Sequence, residues 1–352
     1  MARSTVHEAT EVKAVAYRKP LPIADANSLV DVDLPDPVPG PRDLLVDVQA
    51  ISVNPVDTKI RKSSSPPPEA QWGVLGWDAV GTVRAVGAEV SLFKPGDAVW
   101  YAGAINRPGA NAQLHVVDER IVGAAPRSQS RAQAAALPLT SITAWEMLFD
   151  RLGIQRTGGE DVGKSLLIVG AAGGVGSIMI QLAKRLTGLT VIGTASRPET
   201  AEWVRDLGAD EVVDHSKSLV EEVRRAGLAA PDYVVSLTRT DQHFAAIAEL
   251  IAPQGKFGLI DDPAPGSIDV GKLKRKSVSL HWELMFTRSL FTTADLIEQH
   301  KLLNEIAHLV DAGELRSTLG ENFGRINAAN LKRAHALLES GQARGKIVLE
   351  GF

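Results

Sequence analysis

The chain of 352 residues contains no cysteine. Disulfides, thiolate nucleophiles and every zinc site built on sulfur are therefore excluded. Basic charge is not in excess: 38 Lys and Arg against 42 Asp and Glu give a formal net charge of −4. That balance carries no electrostatic footprint for nucleic acid or an anionic membrane surface. No apolar run reaches the roughly 18–20 residues needed to cross a bilayer. The first eleven residues, MARSTVHEATE, lack the apolar stretch of a secretory signal and read as a frayed end. Together these absences point to a cytoplasmic protein. What is present is ordinary for a soluble globular chain, 44% hydrophobic and 23% charged, and the length suggests two domains rather than one core.

The first third reads as β-rich. VKAVAY (12–17), DLLVDVQAISV (43–53), VGTVRAVG (80–87) and DAVWYAG (97–103) are short runs of Val, aromatic and small residues broken by Gly and Pro. PDPVPGPRD (35–43) and RKSSSPPPEA (61–70) read as loops. An antiparallel, barrel-like module fits this pattern. From about residue 138 the pattern changes. LLIV, TVIGT, EVVDH, DYVVSL, GKFGLI and SVSLHWE alternate with helical runs between residues 166 and 283. Such alternation implies βαβ crossovers and a parallel sheet buried on both faces. A long helix over 293–313 and a final strand in GKIVLEGF close the chain. The architecture expected is a doubly wound α/β domain (138–290) inserted between two parts of a β-rich domain (1–137 and 291–352).

LLIVGAAGGVGSIMIQLAK (166–184) is strand, tight turn and helix. Ala171-x-Gly173-x-x-Gly176, with Gly174 and Val175 between, has the spacing that lets backbone N–H groups and a helix N-terminus approach a pyrophosphate. The alternative is a tight βα turn with no ligand. Its position inside a repeated βα series favours nucleotide binding. At the end of the next strand an NAD site would carry an acid. Here stand Thr194, Ala195, Ser196 and Arg197, with no acid before Glu199. A hydroxyl and a guanidinium suit a 2′-phosphate, so NADPH is expected over NADH. Ser196 also reads as a helix N-cap, with Pro198 in the first turn. His215 and, more weakly, Lys217 end the following strand and could flank the adenosine phosphate.

These motifs, with ISVNPVDTKIR (51–61), LGWDAVGTV (75–83), KPGDAVWYAG (94–103) and GKIVLE (345–350), resemble the medium-chain dehydrogenase/reductase superfamily and, within it, the quinone-oxidoreductase branch. The resemblance implies a Rossmann sheet inserted in a GroES-like β-barrel domain, the nicotinamide in the cleft between the two, and a homodimer. Zinc-dependent members carry Cys in the segment matching SVNPVD, His-Glu after the glycine matching Gly76, and a further Cys near PLTSIT (138–143). This chain has Asn54, then Trp77-Asp78, then Leu139 or Thr140. An indole is a donor only and cannot ligate zinc, so no metal site is expected. Trp77 becomes a flat apolar wall, with Asp78 hydrogen-bonded below it.

Without a Lewis acid, alcohol oxidation is disfavoured and reduction of a quinone or an activated C=C becomes the leading reading. Candidate donors to the developing oxyanion are Asn54, Tyr101 and Lys59. Each has a plainer reading: a turn cap, a core residue and a solvated strand residue. Matching positions add Thr143, Ile260, Asp261 and Lys346 as cofactor contacts, Lys346 at the pyrophosphate. Met285 and Phe286 could line a lid but read more simply as core. A ketone or aldehyde reductase, an alcohol dehydrogenase and a non-catalytic NADPH-binding protein stand as alternatives. SVSLHWELMF (277–286) reads as the last strand of the sheet, whose edge would pair with a second copy.

Overall fold

The computed structural model describes residues 11–156 and 159–352. The amino-terminal residues 1–10, read above as a frayed end, lie outside the described residues, whereas Glu11 already pairs with Pro35 in a strand ladder. The described residues up to Leu139, with Phe286–Asp311 and Leu319–Phe352, form one compact unit. Thr140–Met285 with Ala312–Thr318 form another.

In the first unit the eleven-residue strand Asp43–Val53 is the organising element. One of its edges pairs antiparallel with Asp78–Val86. Leu114–Asp118 pairs with its beginning and Lys346–Glu350 with its end. Register shifts between Leu45 and Val46 and between Val48 and Ala50 are bulges that bend the strand, which lets one strand serve three partners. Ala98–Ala102 and Val122–Ala124 extend the sheet on one side, and Leu319–Asn322 adds to Lys346–Glu350 on the other. A smaller sheet joins Glu11–Tyr17 to Val30–Pro35 and Gly73–Val74.

One element here departs from expectation. Pro55–Ser63 is an α-helix, where the sequence suggested a turn at Asn54, a strand residue at Lys59 and a loop from residue 61. Asn54 is its N-cap and Pro55 its first residue, a position where proline's fixed φ favours a helix and its missing N–H is no loss. The buried face of the helix carries Asp57, Thr58 and Arg61, so its polar residues hid the amphipathic pattern. Arg61 donates to Leu21 O, to a Glu339 carboxylate oxygen and to Nδ1 of His335. It thereby ties this helix to the helix Ala328–Glu339.

The second unit is a six-stranded sheet, parallel throughout. Ser165–Val169 lies next to Thr190–Thr194, which borders Glu211–Val213; on its other side follow Tyr233–Ser236, Lys256–Leu259 and Ser279–Trp282. Numbered along the chain, the spatial order is 3-2-1-4-5-6, the doubly wound arrangement whose ligands sit beyond the strands' carboxyl ends where the order reverses. The four central strands are buried on both faces, with Leu167, Val169, Ile192, Val234, Phe257 and Leu259 in one core. Residues 312–318 group with this unit because Gln181 accepts the Arg316 N–H at 2.8 Å and donates to its carbonyl at 3.2 Å. Among the described residues no helix is long and apolar enough to cross a membrane.

Candidate active site

At the carboxyl edge of the parallel sheet the chain turns from Val169 through the glycine loop into the helix Gly174–Leu186, with Gly173 as N-cap. The first intrahelical bond is from Ser177 N to Gly173 O at 2.9 Å. The N–H groups of Gly174, Val175 and Gly176 thus have no acceptor one turn earlier and stand at the positive end of the helix. A Cβ on Gly176 would lie 2.5 Å from Ala171 O and 2.6 Å from its Cα. The helix therefore begins in contact with the turn, and its free N–H groups remain at the sheet's edge. A pyrophosphate fits this cradle.

Thr194, at the end of the second strand, is buried, and its hydroxyl accepts the Gly170 N–H at 3.0 Å. Nδ1 of His215 lies 2.8 Å from the same oxygen. Thr194 therefore fixes the glycine loop and His215 together rather than facing a ligand. Ser196 is exposed. The N-cap of the helix Pro198–Asp206 is Arg197 and not Ser196, because Thr200 Oγ1 accepts the Arg197 N–H at 3.2 Å and donates to its carbonyl at 2.8 Å. The Arg197 guanidinium is part-exposed and paired with Glu199 at 3.1 Å. Lys217 is exposed and paired with Asp214 at 3.4 Å. Past the fifth strand, Ile260 is half-buried and Asp261 uses both carboxylate oxygens on Thr240, accepting its N–H at 2.9 Å and its hydroxyl. Asp261 caps a helix. Thr143 is buried in the helix Pro138–Trp145.

In the other unit the Trp77-Asp78 pair follows Gly76, whose φ of +92° is open to glycine and costly for other residues. A Cβ there would also meet Asn111 Oδ1 at 2.1 Å. Trp77 is buried; its indole N–H donates to Ala104 O at 3.1 Å and its ring meets Phe286 edge-on at 6.1 Å. Phe286 and Met285 are buried, which bears out the core reading. Asp78, fully buried, accepts from Asn54 Nδ2 at 2.8 Å, Lys346 Nζ at 3.1 Å and Leu139 N at 2.7 Å. Lys346 also donates to Val53 O at 3.1 Å and to Asn54 Oδ1. Asp57 completes the cluster, accepting the Asn54 N–H at 2.7 Å. Burial pushes its carboxyl up to about 7, against the pull of the Asn54 N–H and the Lys346 ammonium.

Three expectations change here. Lys346 is not an open pyrophosphate ligand: its ammonium is 97% buried and holds three protein acceptors. The strand Lys346–Glu350 pairs with Ala50–Val53 and carries Lys346 into that interior. Asn54 has no proton for a substrate, since Nδ2 donates to Asp78 and, at 3.4 Å, to Ser52 O. The Tyr101 hydroxyl is likewise engaged. His115 Nε2 lies 2.9 Å from Pro108 O, an acceptor, so Nδ1 is the ring's acceptor and Tyr101 donates to it at 3.0 Å. Burial holds His115 down at about 4 and pushes the Tyr101 phenol up, so both are neutral. Lys59 is exposed.

The cluster is a poor match for zinc. Its cation is Lys346, the sulfur positions hold Asn54 and Leu139 or Thr140, and the indole of Trp77 has no lone pair to offer. Among the described residues no three His, Cys, Asp or Glu side chains converge as a metal would require.

Comparison with known proteins fits this geometry. Residues 40–127 match the alcohol dehydrogenase GroES-like domain and residues 207–349 the zinc-binding dehydrogenase model. A zinc-type alcohol dehydrogenase-like protein of Staphylococcus aureus is 42% identical, over 96% of this chain and 99% of its own. The chain belongs to the medium-chain dehydrogenase/reductase superfamily. It is an oxidoreductase of that superfamily, α/β with a parallel sheet and a GroES-like domain. A quinone oxidoreductase of Pseudomonas aeruginosa is 35% identical, over 88% of this chain and 92% of its own. A crystal structure from Rhizobium etli, assigned as a zinc-dependent alcohol dehydrogenase, is 58% identical with a TM-score of 0.93, covering 98% of this chain and 99% of that one.

Proposed function

We propose that the protein is a zinc-independent, NADPH-dependent reductase of quinones or α,β-unsaturated carbonyls. The observation that carries this reading is the Asn54–Asp78–Lys346 cluster beside Trp77, in which a buried ammonium stands among residues that do not suit a metal. Gly173, Gly174, Val175 and Gly176 would hold the pyrophosphate, and Arg197 with His215 the 2′-phosphate. When bound, the nucleotide supplies a hydride equivalent to the electrophilic carbon. Reduction of a quinone or a conjugated C=C spreads the developing charge over a conjugated system. It therefore asks less of protein donors than reduction of an isolated ketone. That suits a site whose Asn54 and Tyr101 protons already have acceptors, and solvent supplies the final proton. Trp77 and Asn54 then act by shaping and fixing the site.

The test is nucleotide choice together with turnover. NADPH should bind more tightly than NADH and be consumed, followed at 340 nm, against quinones and enones but far more slowly against simple ketones. The rate should survive chelator. Arg197→Ala should erase the NADPH margin, a loss of about 1.5–3 kcal/mol or roughly one to two decades in affinity. Equal affinity of the unaltered protein for both nucleotides would sink the assignment, and NADPH binding without turnover on any acceptor would favour a non-catalytic role.

A cytoplasmic homodimer is part of the same reading. Ser279–Trp282 is the last strand of the parallel sheet, and Trp282 and Leu284 beside it are more than half exposed. Two-fold pairing of this edge would cover them. Light scattering should give twice the chain mass and Leu280→Pro the single mass; a monomer before substitution rejects the dimer.

A further inference from the structure

A second imidazole stands beside His215. His243 lies in the first turn of the helix Thr240–Leu250, which follows the fourth strand, and its ring meets that of His215 edge-on with centroids 5.8 Å apart. His215 is held by Thr194 through Nδ1, so its Nε2 edge is the one left for a ligand. Both rings are half-buried. Arg239, at the start of the same helix with φ of +48°, faces both imidazoles, and Arg197 follows Thr194 by three residues. Three cation-capable groups, His215, His243 and Arg239, thus gather beyond the carboxyl ends of the third and fourth strands, and Arg197 follows the end of the second.

We propose that His243 is a specificity-determining residue for the nucleotide: with His215 it gives the 2′-phosphate a two-imidazole contact that takes up a proton when NADPH binds and not when NADH does. The proposal rests on the NADPH reading above. Three features of the site support it. Burial holds both imidazoles below the usual histidine range, assisted for His215 by His243 and for His243 by Arg239. The carboxylates that oppose this are occupied: Asp214 accepts from Ser216 and pairs with Lys217, and Asp261 accepts from Thr240. Asp241, also facing His243, lies exposed on the next helical residue but one. The helix N-terminus beside His243 further favours its neutral form. Near pH 7 the free protein therefore presents a neutral pair, to which a phosphate dianion is the one partner in either nucleotide able to draw a proton.

The sign separates this from titration of the ligand. A phosphate monoester completes its second ionisation near pH 6, which strengthens binding as pH rises and is over by about pH 7. Proton uptake by the imidazoles weakens NADPH binding as pH rises further. The affinity ratio of NADPH to NADH, measured by fluorescence titration, should fall three- to thirtyfold between about pH 7 and 8.5, since one linked proton gives at most tenfold per pH unit. His243→Gln should flatten that slope and leave NADH affinity unchanged, which also reports that the variant is folded. Calorimetry in two buffers of different ionisation enthalpy should count a proton taken up with NADPH and none with NADH. If the protein binds NADPH no more tightly than NADH at pH 7, the NADPH reading itself fails. If the margin is present but flat with pH, or His243→Gln keeps the slope or loses affinity equally at every pH, the proton-linked contact is wrong while the NADPH reading stands.

Discussion

Lys346→Met should cost about 3–5 kcal/mol of stability, the usual effect of leaving a buried charge without its partner. Urea unfolding would read it as a lower midpoint at unchanged slope. Lys346 is 97% buried and Asp78 wholly so; with the ammonium gone, Asp78 keeps only the Asn54 amide and the Leu139 N–H. Asp78→Asn on the same background removes the stranded charge and should recover a large part of the loss, because a neutral pair has no ionic desolvation to offset. Asp57 adds a pH signature. Its folded pKa is raised to about 7, so its contribution to stability is fully present below about 4, the unfolded carboxylate value, and is lost as pH rises through 7. Lys346 is one of the groups pulling that value down. Its removal should therefore cost more at pH 8 than at pH 6. A loss under about 1 kcal/mol, or one that the double variant does not relieve, would show that the pair carries no net ionic interaction.

How much of this was legible in the sequence depends on the distance between interacting residues. The glycine loop lies within eleven residues of the strand that precedes it, and its chemistry is local. Its spacing, the surrounding βα alternation and the missing acid before Glu199 were all readable, and the six parallel strands fell where continuous apolar runs stood. The buried cluster joins residues 54, 57, 78 and 346 through antiparallel pairings of the strand Asp43–Val53 with two distant segments. No local pattern announces that. From sequence, Lys346 accordingly reads as an open basic residue, and Asn54 and Tyr101 as donors to substrate. Their side chains are right for the task, but the acceptors they already hold come from elsewhere in the chain. Arg197 and Thr200 show the same limit at short range: Ser196 has the better N-cap side chain, yet Thr200 bonds both the N–H and the carbonyl of Arg197 and starts the helix one residue later. His243 is hidden for the first reason, since its meeting with His215 joins the turn after the third strand to the helix after the fourth.

Two glycines of the phosphate loop should fail in opposite ways, and the contrast tests the cradle itself. Gly176→Ala would place a methyl 2.5–2.7 Å from three backbone atoms of Ala171. Backbone cannot move aside as the end of a flexible side chain can, so the helix must shift away from the turn. Overpacking of this kind costs about 1–3 kcal/mol, and both nucleotides should bind more than tenfold more weakly as the N–H groups of Gly174 and Val175 are displaced. Gly173→Ala meets no such obstacle. Its φ is −74°, ordinary for any residue, and the nearest atom to the added methyl is Gly170 O at 3.5 Å, an ordinary contact. The protein alone has room for alanine there, and thermal unfolding without nucleotide should stay within about 0.5 kcal/mol of the parent. If a pyrophosphate lies against this backbone, the space is the ligand's, and Gly173→Ala should weaken NADPH and NADH alike by more than tenfold with the fold intact. Undiminished binding by Gly173→Ala would remove the pyrophosphate from this loop, whatever Gly176→Ala does, because a loss there alone follows from helix packing without any ligand.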